Sequence, residues 1–156
     1  MGIKISDTLK KVLENEQLVR VIISNGKEGK THGSRIHKMS VLDNGNILYF
    51  EYLESSLTNK NLIYSLWFDK EIEIFAEDEA FHDYSIRGIP KKAIIEGEFF
   101  EAEYRKVQEK FDGQIDLSTI WEIEVTSVEN TDLLELSKKE QETYPMIQHL
   151  DRIAKD

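Results

Sequence analysis

A basic segment at residues 30–39 carries the first side chains that could do chemistry. It contains Arg35 and His37, which are two residues apart and would point to the same side of a β-strand. A guanidinium fork beside an imidazole can hold a phosphate group through charge-assisted hydrogen bonds. The alternative interpretation is the exposed polar face of an edge strand, and this segment alone leaves both open.

A second polar segment lies at residues 54–61, where a strand gives way to a helix. It contains three hydroxyls and a lysine, which are Ser55, Ser56, Thr58 and Lys60. The free backbone N–H groups and the dipole of a helix N-terminus attract anions. One of these side chains must cap the helix in any case, so simple capping is the alternative interpretation. The Asp-Asn-Gly turn at 43–45 folds the two segments next to each other, and together they are more specific than either alone.

Other catalytic motifs are absent from the sequence. The chain has no Gly-x-Ser-x-Gly elbow, no phosphate-binding P-loop and no His-Glu-x-x-His motif. It contains no cysteine, which excludes disulfides, thiolate metal sites and cysteine nucleophiles. The four histidines lack the spacing of metal ligands, and the acidic residues are mostly scattered singly. We therefore predict neither a metal site nor a catalytic carboxylate pair.

The elements that must position these residues follow from hydrophobic periodicity. The pattern predicts helices over 6–16, 58–68 and 99–111, and strands over 18–24, 34–42, 46–52, 71–75, 84–96 and 119–125. Connections between strands are mostly short, so we expect a mainly β fold with flanking helices, built as a six-stranded antiparallel barrel, closed or half-closed. Glycine and proline at 88–90 predict a bulge or an edge position. A helical tail follows from about residue 131 and is broken near Pro145.

Length and charge limit the classes of partner. The 156 residues suit one domain, and a net charge of −10 disfavours binding to a phosphate backbone. No window approaches the roughly 20 apolar residues of a membrane helix, and the N-terminus does not resemble a secretion signal. We expect a soluble, cytoplasmic protein without nucleic-acid or membrane partners.

The element order and several short segments resemble a known family. A basic strand, the Asp-Asn-Gly turn, an Ile-Leu-Tyr-Phe strand, a helix start with Ser, Thr, Lys and Asn-Leu, and a Glu-Ile-Glu-Ile strand follow each other. Tyr-Ser-Ile-Arg-Gly at 84–88 and Ile-Trp-Glu-Ile at 120–123 continue the pattern. Over residues 7–128 the chain is similar to the pyridoxamine 5′-phosphate oxidase-like FMN-binding split-barrel family.

This resemblance implies an FMN-binding oxidoreductase with an unknown small-molecule substrate. It implies a homodimer with FMN in a cleft between subunits and a split-barrel domain at 1–130. The C-terminal helical extension at 131–156 lies beyond the resemblance. A helix this short is marginal alone in water, so we expect it to pack on the same domain or across the partner subunit, and a frayed terminus is the alternative. The aromatic residues Trp67, Phe68, Phe99, Phe100 and Trp121 fit either a subunit interface or burial under the helices. Two alternatives stay open: a cofactor-binding or regulatory module that holds a flavin or haem without turnover, and a structural domain without a cofactor.

The resemblance also implies which residues contact the cofactor. Arg35 and His37 would approach the FMN phosphate from the strand, and Ser56, Thr58 and Lys60 would approach it from the helix start. Tyr52 and Ser55 would lie nearer the ribityl chain or the flavin ring. The full candidate set is Arg35, Ile36, His37, Met39, Tyr52, Ser55, Ser56, Thr58, Lys60 and Trp121. No side chain is implied as a catalytic acid or base, because the flavin itself carries the chemistry.

Overall fold

A computed structural model describes residues 3–145 of the chain. The strands are β1 (Arg20–Asn25), β2 (Thr31–Arg35), β3 (Met39–Val41), β4 (Ile47–Glu51), β5 (Ile72–Glu77), β6 (Asp83–Ile94) and β7 (Thr119–Asn130). The helices are α1 (Asp7–Glu14), α2 (Leu57–Phe68), α3 (Glu98–Lys110) and α4 (Leu133–Thr143).

Helices α1, α2 and α4 begin at polar residues that cap them, whereas α3 follows Gly97 without a side-chain cap. The Ser6 hydroxyl accepts a hydrogen bond from the Leu9 N–H at the start of α1, and Asp132 caps α4. At the start of α2 the Ser56 hydroxyl accepts from the Asn59 N–H at 2.9 Å. Capping is therefore one confirmed role of the second polar segment.

The described strands form one sheet in the order β2-β1-β5-β6-β7-β4-β3. Every neighbouring pair is antiparallel. The predicted bulge is confirmed, since the register of β6 against β7 shifts at Gly88 and again after Pro90. The mainly β fold with flanking helices is confirmed as well.

The prediction of six strands is wrong, because residues 34–42 belong to two separate strands, β2 and β3, rather than to one. β2 ends at Arg35, where the Ile36 N–H still bonds to the Arg20 carbonyl of β1 at 2.8 Å. Two residues later the Lys38 carbonyl already accepts from the Phe50 N–H of β4 at 3.2 Å. The short link between these bonds joins the two edge strands of the sheet. The sheet therefore curls into a half-barrel and brings β2 close to β4.

The buried side chain of Arg20 stabilises the link between β2 and β3. The Arg20 side chain is only 1% exposed and donates to the carbonyls of Leu13, Ile36 and His37 at 2.5, 3.3 and 3.4 Å. Burial lowers the pKa of its guanidinium. Because Arg20 sits at the start of an otherwise apolar strand, the sequence pattern alone did not single it out.

The apolar side chains form two clusters on opposite sides of β4. The larger fills the half-barrel and includes Ile22, Ile74 and Trp121, and the smaller packs under α3 and includes Phe50 and Val107. All five residues of β4 are buried for this reason. The rigid β4 therefore ends directly beside the start of α2, where the cavity described next lies.

Candidate functional site

A cavity of about 510 Å³ lies between the end of β2, the end of β4 and the start of α2. Its volume falls in the usual range for sites that bind small molecules. Five of the predicted residues line it together, which are Arg35, His37, Tyr52, Ser56 and Thr58. The two polar segments thus converge on one site, because the half-barrel places β2 next to the start of α2.

The other five predicted residues lie elsewhere. Ile36 and Met39 are packed in the barrel core, and Trp121 is 1% exposed with its indole N–H bonded to Asn59 Oδ1 at 2.9 Å. Ser55 is exposed ahead of α2 and does not line the cavity. Lys60 lies in a separate groove together with Lys27 and Lys30.

Arg35 and His37 were predicted to point to the same side of one strand, and this prediction is wrong. The two residues do not share one strand, since β2 ends at Arg35 and His37 lies in the link to β3. Within β2, alternation instead turns His32 and Ser34 toward the cavity. Both Arg35 and His37 still reach the cavity, because the link bends around its rim.

Hydrogen bonds at the cavity floor connect β2, β4 and α2. The Ser34 and Thr58 hydroxyls share a hydrogen bond of 2.7 Å. Glu51 is 7% exposed, and its carboxylate accepts from the Tyr49 hydroxyl at 3.2 Å, from the Tyr52 N–H at 3.1 Å and from the Ser56 hydroxyl. The Ser56 and Thr58 hydroxyls therefore already take part in hydrogen bonds within the protein.

Two tyrosines near this floor stay neutral at physiological pH. Burial, together with the neighbouring Glu51 carboxylate, raises the pKa of Tyr49 well above its ordinary value. Burial, with the charges of Glu16 and Glu103 added, raises the pKa of Tyr52 to about 12. Both hydroxyls therefore remain able to donate hydrogen bonds near pH 7.

The rim of the cavity carries positive charge and aromatic rings. Arg35 is exposed, and among residues 3–145 no carboxylate lies within salt-bridge distance of its guanidinium. The Tyr52 ring lies 6.2 Å from the His37 ring and 6.0 Å from the Phe111 ring, measured between centroids. A free guanidinium beside an aromatic wall fits a ligand that combines a phosphate with a flat ring. The residues present thus fit FMN.

Several residues that line the cavity were not predicted from the sequence. Tyr49 and Glu51 are two apart on β4, so strand alternation could have placed them on one side. Glu51 is also the charged residue that ends an otherwise apolar strand, directly before the second polar segment. Phe111 follows α3 and lies about sixty residues after Glu51 in the chain. Only tertiary packing brings it to the site.

A second cavity of about 680 Å³ adjoins the first and shares Tyr52 and Leu53 with it. Its lining combines polar residues such as Asn59 and Asp116 with apolar ones, among them Trp121 and the exposed Ile63 of α2 and Ile95 after β6. Within residues 3–145, no three His, Asp or Glu side chains are grouped as metal ligands would be. No helix in the same range is both long and apolar enough to cross a bilayer.

A curled antiparallel sheet with a cavity between its edge strand and a capped helix defines a split-barrel domain. No protein-family profile and no curated protein sequence matches the chain. Among solved structures, HupZ of Group A Streptococcus matches with a TM-score of 0.64 at 18% identity, covering 83% of this chain and 95% of HupZ.

Two further solved structures extend this comparison. An FMN-binding protein from Syntrophomonas wolfei matches with a TM-score of 0.63 at 8% identity, covering 80% of this chain and 84% of that protein. A protein from Lactobacillus delbrueckii, described provisionally as a pyridoxamine 5′-phosphate oxidase, matches with a TM-score of 0.58 at 14% identity, covering 81% and 93%. The chain has the split-barrel fold of the pyridoxamine 5′-phosphate oxidase-like proteins, which confirms the resemblance at the level of the fold.

Proposed function

We propose that this chain is an FMN-binding flavoprotein that acts as an oxidoreductase on a small molecule. The observation that carries the proposal is the convergence of Arg35, His37, Ser56 and Thr58 from two separate segments on one aromatic-walled cavity. The fold supports it, because solved proteins that share this fold include an FMN-binding protein and a flavin reductase.

Each part of the cavity has a role in this proposal. The Arg35 guanidinium, with His32 and His37 beside it, would hold the phosphate at the rim. The Tyr52 and Phe111 rings would pack against the flat flavin ring and exclude water from it. When bound, the flavin supplies hydride or electron transfer, and the protein supplies orientation and electrostatics.

The proposal includes a homodimer with the cofactor near the subunit boundary. Trp67 and Ile63 lie four residues apart on one face of α2, and both are exposed. Leu53 and Ile95, exposed at the adjoining second cavity, extend the apolar surface toward the candidate site. Exposed apolar patches of this kind mark subunit interfaces in soluble proteins. Of the aromatic residues first considered for an interface, Trp121 is buried in the core instead.

A second candidate function is cofactor binding without turnover, with haem as the alternative ligand. The observation that favours it is the pair of imidazoles, His32 and His37, that line the same cavity. A single histidine can hold haem iron from one side. The Arg35 guanidinium would then pair with a haem propionate rather than with a phosphate.

Titration of the apo protein with FMN and with haemin in parallel separates these functions. The proposal predicts quenching or enhancement of FMN fluorescence that saturates with a Kd in the low micromolar range or below. Reduction of the bound FMN by a reduced nicotinamide, followed by reoxidation on a second substrate, would support an oxidoreductase. A saturable haem absorption band without any FMN response would favour the second candidate.

A further inference from the structure

A buried acidic residue, Glu51, belongs to the same cavity that the proposed function assigns to an anion. Glu51 is 7% exposed, and its carboxylate accepts a hydrogen bond from Ser56, the residue that caps α2. Glu51 also lines the cavity itself. The proposed phosphate site therefore has an acidic group built into its floor.

This contact removes a hydrogen-bond donor from the ligand site. The single hydroxyl hydrogen of Ser56 points to Glu51, while the Ser56 oxygen accepts from the Asn59 N–H. Ser34 and Thr58 also bond to each other, which uses the hydrogen of one of these two hydroxyls. The start of α2 thus offers an anion fewer side-chain donors than its composition suggests.

The charge of Glu51 acts in the same direction. A helix N-terminus carries roughly half a positive elementary charge, whereas a carboxylate carries a full negative one. The Tyr49 hydroxyl and the Tyr52 N–H compensate the carboxylate in part, since both donate to it. The attraction for a phosphate is left mainly to Arg35 and the histidines at the rim.

We propose that Glu51 is a specificity-determining residue that penalises phosphate groups in this cavity. It sets how strongly the cavity prefers FMN to riboflavin, which is the same flavin without the phosphate. The inference rests on the proposed flavin function and names the group that limits phosphate recognition within it.

Binding of FMN and riboflavin to Glu51→Gln tests this inference. A glutamine can still accept from the Tyr52 N–H through its oxygen and can turn its NH₂ group to the Ser56 oxygen, which frees the Ser56 hydrogen for the ligand. The ratio of the riboflavin Kd to the FMN Kd should rise about tenfold. Glu129→Gln makes the same charge change at an exposed position of β7 that lines neither cavity, and its ratio should stay at the wild-type value.

Tyr49→Phe gives a second, independent readout if Glu51→Gln fails to fold. It removes one donor from the carboxylate, so the ratio should fall below the wild-type value. An unchanged ratio in Glu51→Gln, or an unchanged or raised ratio in Tyr49→Phe, overturns the role of Glu51 while leaving flavin binding intact.

Inorganic phosphate separates this inference from the proposed function. If the wild-type protein binds neither flavin, the proposed function fails, and phosphate is then titrated while the histidine ring signals are followed by NMR. Tighter phosphate binding in Glu51→Gln than in the wild type would still support the penalty, and equal binding would overturn it.

Discussion

Arg35 is the residue through which the site would recognise a phosphate. It stands at the end of β2 on the cavity rim, exposed and without a carboxylate partner among the described residues. A guanidinium that no neighbouring acid compensates is available to a ligand. Because the Glu51 carboxylate in the cavity disfavours a phosphate, binding of a phosphate depends more strongly on the Arg35 guanidinium at the rim.

Replacing Arg35 should separate the two flavins. Arg35→Ala should weaken FMN binding by tenfold or more, because a charge-assisted contact contributes about 1.5–3 kcal/mol, while riboflavin binding should change little. Fluorescence titration measures both constants. Arg105→Ala, at an exposed position on α3, serves as the control and should alter neither. Equal weakening of both flavins by Arg35→Ala would remove Arg35 from the phosphate site.

Half of the ten predicted residues lie in the candidate site. Polar residues at a strand end and at a helix start are visible in the sequence, and tertiary folding brought five of them together. Ile36, Met39 and Trp121 were placed by resemblance alone, and their side chains fill the barrel core. Lys60 points away because its position on α2 turns it toward the β1–β2 turn, which is a matter of helix rotation rather than composition.

The bulged strand β6 is the element whose geometry depends most on one residue. At Gly88 the register against β7 shifts, and an added Cβ would lie 2.6 Å from Ile123 Cγ2 and 2.8 Å from the Glu124 carbonyl oxygen. Contacts this short force the backbone of β7 to move. The bulge therefore requires a glycine for space.

Alanine substitutions at two strand glycines test this reading of the bulge. Gly88→Ala should lower the free energy of unfolding by about 2 kcal/mol or more, through overpacking against β7. Gly33→Ala in β2 is the matched control, because its nearest neighbour would be Val21 Cγ1 at 3.8 Å. That variant should be neutral or slightly stabilising. Urea denaturation measures both, and equal stability of the two variants would contradict the account.

Element types were predictable, whereas several boundaries were not. β2 begins three residues before the predicted run at 34–42, and β7 continues five residues beyond its predicted end at 125. Caps, turns and alternation indicated the helices, the 43–45 hairpin and the bulge, since these depend on local chemistry. The division of 34–42 into β2 and β3 depends on two partners far away in sequence, β1 and β4. The buried Arg20, which binds the link between them, gives no local signal for that division.

At the scale of the whole molecule, the apolar face of α2 predicts self-association. The double substitution Ile63→Lys/Trp67→Lys should convert the protein to a monomer, because two charges would be buried in the interface. Sedimentation equilibrium measures the mass. Phe81→Asn is the control, since Phe81 is also an exposed aromatic but lies in the β5–β6 turn. A wild-type protein that is monomeric at high concentration would rule out the proposed dimer.

The C-terminal extension should stabilise the dimer rather than the single subunit. α4 buries none of its residues, and Leu133 and Leu134 are exposed in the single chain. So short a helix is marginal alone in water, so we expect it to pack across the partner subunit. The predicted apolar face of Met146, Leu150 and Ile153 lies outside the described residues.

Truncation after Asn130 tests this expectation. The shortened chain should dimerise more weakly and bind FMN less tightly, since the proposed cleft lies between subunits. Light scattering and FMN titration measure the two effects. Unchanged dimerisation, FMN affinity and thermal stability would show that the extension does none of this.

The chromophore carried by the purified protein tests the central proposal most directly. If FMN is bound, the protein should be yellow with the two visible absorption bands of flavin, and acid release should yield a compound with the mass of FMN. If the protein is purified as the apo form, added FMN should restore the same bands in one-to-one stoichiometry. A colourless protein that also leaves the fluorescence of added FMN unchanged would contradict the account.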